Sequence, residues 1–190
     1  MISQSRTSPP ADRLQRGCVG ARLAFGLFIW LVLLSPVTAS SQSRPTTDRP
    51  GLVARGEYLV RIMDCGGCHT GGALLGKPDP KRLLAGSEVG FEVPGFGIAY
   101  PKNLTPVPDM GLGKWTDEEI ARAIRHGQNP DGRLLAPIMP WASFSALRDA
   151  DVRAIVAYLR SLPPVRFQAP ANVKPGEKPT APYMTVVQPK

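Results

Sequence analysis

Cys65-Gly66-Gly67-Cys68-His69 is the stretch on which the fold turns. Two thiols stand three positions apart, and an imidazole follows the second directly. Thiols so spaced can each form a thioether to one of the two vinyl groups of a single haem. His69 then reaches the iron from the same side. In an exported protein this C-x-x-C-H pattern is a haem-attachment signature. Three other chemistries share the cysteine spacing. A thioredoxin-type redox pair needs alternating strands and helices around it, and no such alternation is visible. A structural zinc site needs four ligands, usually with a second pair at comparable spacing. Beyond Cys65, Cys68 and His69, the chain after residue 39 offers only the distant His126. A plain disulfide between Cys65 and Cys68 is the third alternative.

Upstream, Arg6, Arg13, Arg16 and Arg22 precede an apolar run from Leu23 to Leu34. Twelve residues fall short of the roughly 20 that a spanning helix needs. Pro36 and then Val37-Thr38-Ala39 follow, with small residues suited to a signal-peptidase cut after Ala39. Residues 1–39 therefore read as a secretory signal, which implies a periplasmic location. The competing reading is an uncleaved membrane tether, against which Arg22 counts because it interrupts the apolar stretch. Cys18 lies before the apolar run, where a lipoprotein cysteine would not lie.

The formal charge is +8, and removing the segment with its four arginines and Asp12 leaves +5. That excess over some 150 residues fits an acidic docking partner or plain solubility. Nucleic acid is not an expected partner, because no basic helix or aromatic RNA-binding motif is present. Membrane contact is expected only if the N-terminal segment stays attached. With just two histidines and three cysteines in 190 residues, chemistry that needs several such ligands is nearly excluded.

Downstream of the signal, residues 40–51 read as a flexible lead-in rich in Ser, Thr, Arg and Pro. Residues 52–162 read as one domain. Residues 163–190 hold seven prolines in 28 positions and read as an extended, mostly unstructured tail. Three helices are expected in the domain. The first covers about Val53 to Met63, with Tyr58, Leu59 and Ile62 on one face and Gly56 marking close packing against another helix. The second starts at Thr116, where Thr116-x-x-Glu119 is a capping box. It buries Ile120, Ala123 and Ile124, and stops at Gly127. The third runs from about Asp149 to Ser161, with Val152, Ile155, Val156 and Leu159 at amphipathic spacing. Between the first two lie 45 residues, Thr70 to Lys114, full of Gly and Pro. So much irregular chain cannot build a core by itself, and a large flat apolar cofactor would fill the interior.

With His69 on one side of the iron, the other side takes Met, His or nothing. The candidates are Met63, Met110, Met139, Met184 and His126. Met63 is too near His69 in sequence to cross to the opposite face, and Met184 lies in the tail. Met110 sits in a Gly-rich loop. Met139 lies between Pro137 and Pro140, which stiffen the backbone and hold a thioether at low entropic cost. Core packing is the alternative role for a methionine. His126 suits the end of the second helix, where an imidazolium complements the dipole.

The chain resembles class I c-type cytochromes through C-x-x-C-H, a methionine between two later helices, and the closing Ala157-Tyr158-Leu159-Arg160-Ser161-Leu162-Pro163. More narrowly it is similar to single-haem domains in cytochrome subunits of bacterial periplasmic dehydrogenases. Asn103-Leu104-Thr105-Pro106, Gly111 to Ile120, Arg125-His126-Gly127, Pro130-Asp131-Gly132-Arg133 and Met139-Pro140 carry that similarity over residues 52–165. The resemblance implies a mainly α cytochrome c fold: about three packed helices and long loops around one covalently bound haem c, with His69 and Met139 axial. It also implies that Trp115 and Asn103 lie near the haem or its propionates, although core packing serves Trp115 equally well. Such subunits often carry two or three of these domains, where this sequence shows one C-x-x-C-H. Asp149 is expected to cap the third helix where the family usually has Ser.

The expected function is single-electron transfer between redox proteins, a dehydrogenase donor and a cytochrome or oxidase acceptor. No side chain needs to act as acid or base, so a carrier rather than a stand-alone enzyme is expected. A haem subunit fixed in a dehydrogenase complex is the first alternative, favoured by a tail that could wrap a partner. An enzyme or sensor with an open sixth position is the second.

Overall fold

The structure is a computed structural model and describes residues 49–189. Residues 1–39, read as a secretory signal, and most of the expected lead-in lie outside the described residues.

Helix α1 (Arg49–Ile62) and helix α5 (Asp149–Ser161) pack against each other and frame the core. Helix α3 (Asp117–His126) closes the third side. Leu59, Val60, Ile120, Ile124, Val152, Ile155, Val156 and Leu159 fill the space between them. Two short helices carry the loops: α2 (Cys65–His69) and α4 (Trp141–Phe144).

α1 begins at Arg49, inside the stretch read as lead-in, and its buried face differs from the expected one. Tyr58 and Ile62 are 52% and 58% exposed, while Gly56, Leu59 and Val60 are buried. Leu52 and Met63 extend the same stripe, giving positions i, i+4, i+7, i+8 and i+11. The stripe passes through a residue with no side chain, so apolarity alone misplaces it. Gly56 does mark close packing: a Cβ there would fall 2.6 Å from the Ala154 carbonyl carbon and 2.7 Å from Tyr158 Cβ.

α3 forms as its sequence dictates. Thr116 Oγ1 accepts from Glu119 N–H at 3.1 Å, and Glu119 Oε2 accepts from Thr116 N–H at 2.7 Å. Ile120, Ala123 and Ile124 are its buried residues, and Gly127 ends it with φ 62°. α5 buries Val152, Ala154, Ile155, Val156 and Leu159. Asp149 does not cap it. Arg148 holds the capping position without a side-chain bond, and Asp149, already helical, pairs with Arg125 at 2.7 Å.

The Gly- and Pro-rich stretch after α2 is more ordered than its composition implies. It holds 3-10 turns at Ala73–Leu75 and Pro80–Arg82, then strands β1 (Gly90–Val93) and β2 (Gly97–Ala99), which pair antiparallel. Strand β3 (Tyr183–Met184), from the tail, pairs with β1 in parallel. The tail is extended, as expected, but it is not unstructured. Asn103 Nδ2 donates to the Val165 and Phe167 carbonyls at 2.8 and 3.2 Å, and Tyr100 Oη donates to the Ala181 carbonyl at 2.8 Å. The Arg82 guanidinium sits 4.9 Å from the centre of the Phe167 ring.

Candidate haem-attachment site

Asp64 adopts the left-handed conformation (φ 53°) and turns the chain from α1 into α2. Gly67 N–H donates to the Asp64 carbonyl at 3.1 Å. The Asp64 carboxyl group occupies the space a side chain on Gly67 would need, with its Cγ 2.7 Å from a Cβ built there. A side chain at Gly67 would have to displace that carboxyl group, whereas Gly66 has ordinary space around it.

α2 brings Cys65, Cys68 and His69 onto five consecutive residues, and loops clamp its end. Gly86 N–H donates to the His69 carbonyl at 2.7 Å, and Leu84 N–H donates to Thr70 Oγ1 at 3.2 Å. His69 Nδ1 lies 2.7 Å from the Lys102 carbonyl oxygen. A carbonyl only accepts, so Nδ1 carries the proton and Nε2 keeps its lone pair for a metal. Burial also pushes the imidazole pKa below its usual value, which favours the neutral, ligating form.

Cys65 and Cys68 are not joined in a disulfide. Burial pushes the Cys65 thiol up to about 11 and raises Cys68 as well. A redox Cys-x-x-Cys pair works instead from a lowered thiol pKa. Among the described residues, no group of three or more His, Cys, Asp or Glu side chains is gathered for a metal ion. Thioether formation needs instead two free thiols beside an apolar body. Cys65 borders the helical core together with Leu104 and Trp115. Leu75, Leu83, Leu134 and Ile138, all on the loops between α2 and α4, remain 46% to 63% exposed.

Met139 sits in a turn braced on the end of α3. Met139 N–H donates to the Ala136 carbonyl at 3.1 Å, and Trp141 N–H donates to the Met139 carbonyl at 2.8 Å. Leu135 N–H donates to the Gly127 carbonyl, and the Trp141 ring lies over Gly127, 2.6 Å from where a Cβ would stand. Trp141 Nε1 is buried without a partner. The other sulfurs differ. Met63 packs on the core below α1, Met184 is a β3 residue paired opposite Phe91, and Met110 lies half-buried in a turn. His126 is the exposed last residue of α3, as its place in the sequence implies.

Asn103 is 2% exposed, and its side chain is committed to protein: Nδ2 to the tail, Oδ1 to Thr105 N–H and Oγ1. It fastens the tail to the segment that carries Thr105. Trp115 is half-buried against the core, and its carbonyl accepts from Arg160. The Lys102 carbonyl went unpredicted, because a main-chain acceptor leaves no trace in residue type.

The cytochrome c family model matches residues 53–163, more than half of the sequence. The chain belongs to the cytochrome c family. Covalently bound haem c is that family's cofactor, and Cys65, Cys68 and His69 meet its chemical requirements. The chain is 37% identical over 143 residues to a subunit of the nicotinate dehydrogenase of Pseudomonas putida, covering 75% of this chain and 11% of that protein. It is 39% identical over 118 residues to the cytochrome c subunit of the quinone alcohol dehydrogenase of Gluconobacter oxydans, covering 62% of this chain and 23% of that protein. A diheme cytochrome c-type protein of Cereibacter sphaeroides is 30% identical over 141 residues, covering 70% of this chain and 46% of the other. The chain thus spans less than half the length of each of these relatives. It is an electron-transfer cytochrome c domain related to dehydrogenase cytochrome subunits.

Proposed function

We propose that this chain is a periplasmic mono-haem c-type cytochrome that carries single electrons between redox proteins, from a dehydrogenase toward the respiratory chain. The observation that carries the proposal is the C-x-x-C-H helix whose histidine is held by the Lys102 carbonyl with Nε2 free. When bound, haem supplies a one-electron ferrous/ferric couple. The protein's own part is to hold, orient and shield. Cys65 and Cys68 would anchor the group, His69 would ligate the iron through Nε2, and Met139 is the proposed sixth ligand. A thioether there raises the potential, because it favours ferrous iron. No acid or base is assigned, so the chain is a carrier and not an enzyme in its own right. Residues 1–39 are the proposed export signal, and one haem per C-x-x-C-H is the proposed stoichiometry.

The names of the relatives favour a second reading, a haem subunit fixed in a dehydrogenase complex. Purification from native membranes and periplasm separates the two. A carrier elutes alone, whereas a fixed subunit elutes with a dehydrogenase at constant ratio. The haem assignment itself is tested by exporting the protein with haem-maturation factors and running a denaturing gel. The proposal expects haem to migrate with the wild-type chain and to be lost in Cys65→Ser/Cys68→Ser. A wild-type chain without haem overturns it.

A further inference from the structure

The segment that offers His69 its acceptor is gripped along its length by the tail. Their partners run in antiparallel order. Ile98 bridges to Val173, with the two N–H···O bonds at 2.8 and 2.9 Å. Tyr100 N–H donates to Asn172 Oδ1 at 3.1 Å. Lys102 Nζ donates to the Pro170 carbonyl. Asn103 Nδ2 donates to the carbonyls of Phe167 and Val165, and Val165 N–H donates to Thr105 Oγ1 at 3.2 Å. The side chains of Lys102 and Asn103 flank one peptide plane, and that plane carries the oxygen that His69 meets. Fixing both side chains fixes the direction of the carbonyl.

We propose that residues 165–173 form a positioning strap for His69. By holding the 102–103 peptide they aim the Lys102 carbonyl at Nδ1 and set how strongly the imidazole donates through Nε2. The proposal rests on the haem reading above. A firm Nδ1–H···O=C bond fixes the tautomer and makes the imidazole a better donor, which favours ferric iron. A slackened strap weakens that bond and raises the reduction potential. Pro170 suits this task. It lacks an N–H donor and limits the conformations of the strap where its carbonyl meets Lys102 Nζ.

The test uses the full exported haem protein with two variants that leave the core intact. Asn172→Ala removes the acceptor for Tyr100 N–H without changing charge. Lys102→Met removes the bond to Pro170 and keeps an unbranched side chain of similar size. Lys178→Met, farther along the tail, is the control. The first readout is solvent exchange of the His69 Nδ1 proton, followed by NMR in the diamagnetic ferrous state. Loss of a net hydrogen bond's worth of restraint quickens exchange about fivefold in at least one of the two variants and not in the control. The second readout is the potential of Asn172→Ala, which rises relative to wild type. Wild-type exchange in both variants overturns the proposal, as does an unmoved potential where exchange has quickened. A wild-type chain that carries no haem overturns the functional reading and this proposal with it.

Discussion

Gly56 on α1 and Ala154 on α5 meet backbone to backbone, with no room for even a methyl group between them. Ala154 is fully buried, and the two helices form the largest contact in the fold. Gly56→Ala must push α1 off α5. Overpacking of this kind costs about 1–3 kcal/mol, and rigid backbone on one side places this case at the upper end. Denaturant unfolding of the haem-loaded protein is expected to show that loss.

Gly127 combines a left-handed backbone with the Trp141 ring against its α-carbon, whereas Gly132 (φ 83°) has open space around it. Both lose roughly 1 kcal/mol on substitution by Ala through backbone strain. Gly127→Ala should lose more, because it also displaces Trp141 and the turn that carries Met139. Comparing the two unfolding midpoints separates strain from contact, and equal losses would show that the Trp141 contact is unimportant.

Removing the cap on α3 has a narrower effect. Thr116→Ala deletes the acceptor for Glu119 N–H and should cost about 1 kcal/mol. The visible haem spectrum should stay the same, since the bond lost joins Thr116 only to Glu119. Thermal melts followed by circular dichroism, together with the spectrum, check both halves.

Burial pushes the Glu88 carboxyl up. Hydrogen bonds from its own and the Gly72 backbone and from Arg82, with the Arg82 charge, outweigh that effect and hold it below 4.5. Arg82 lies 3.3 Å away and also pairs with Asp79. A depressed carboxylate pKa adds stability that is complete above the unfolded value and is lost as pH falls through the folded value. Wild type should therefore lose more stability below pH 4.5 than Glu88→Gln does. Melting temperatures at pH 7 and in that acid range measure the difference.

How much of this was legible in the sequence depends on which atoms carry the information. α3 and α5 were readable because their apolar side chains, capping box and stop signals are side-chain facts. The inner face of α1 was not, because its central residue, Gly56, contributes to packing by having no side chain. The strap was hidden for a related reason. Its carbonyls do the bonding, and proline content alone cannot distinguish a free tail from one held by Asn103, Lys102 and Tyr100. The short sheet was obscured by the glycines and prolines around it. At the site, Cys65, Cys68 and His69 were named by pattern, whereas the Lys102 carbonyl that orients His69 became visible only in three dimensions.

The central proposal is that His69 and Met139 would both ligate the iron of the bound haem. Carbon monoxide added to the reduced, haem-loaded protein at neutral pH tests it directly. The account predicts an unchanged absorption spectrum for wild type and a carbon-monoxide shift for Met139→Ala, whose sixth position is open. A shift in wild type, or none in Met139→Ala, would contradict it.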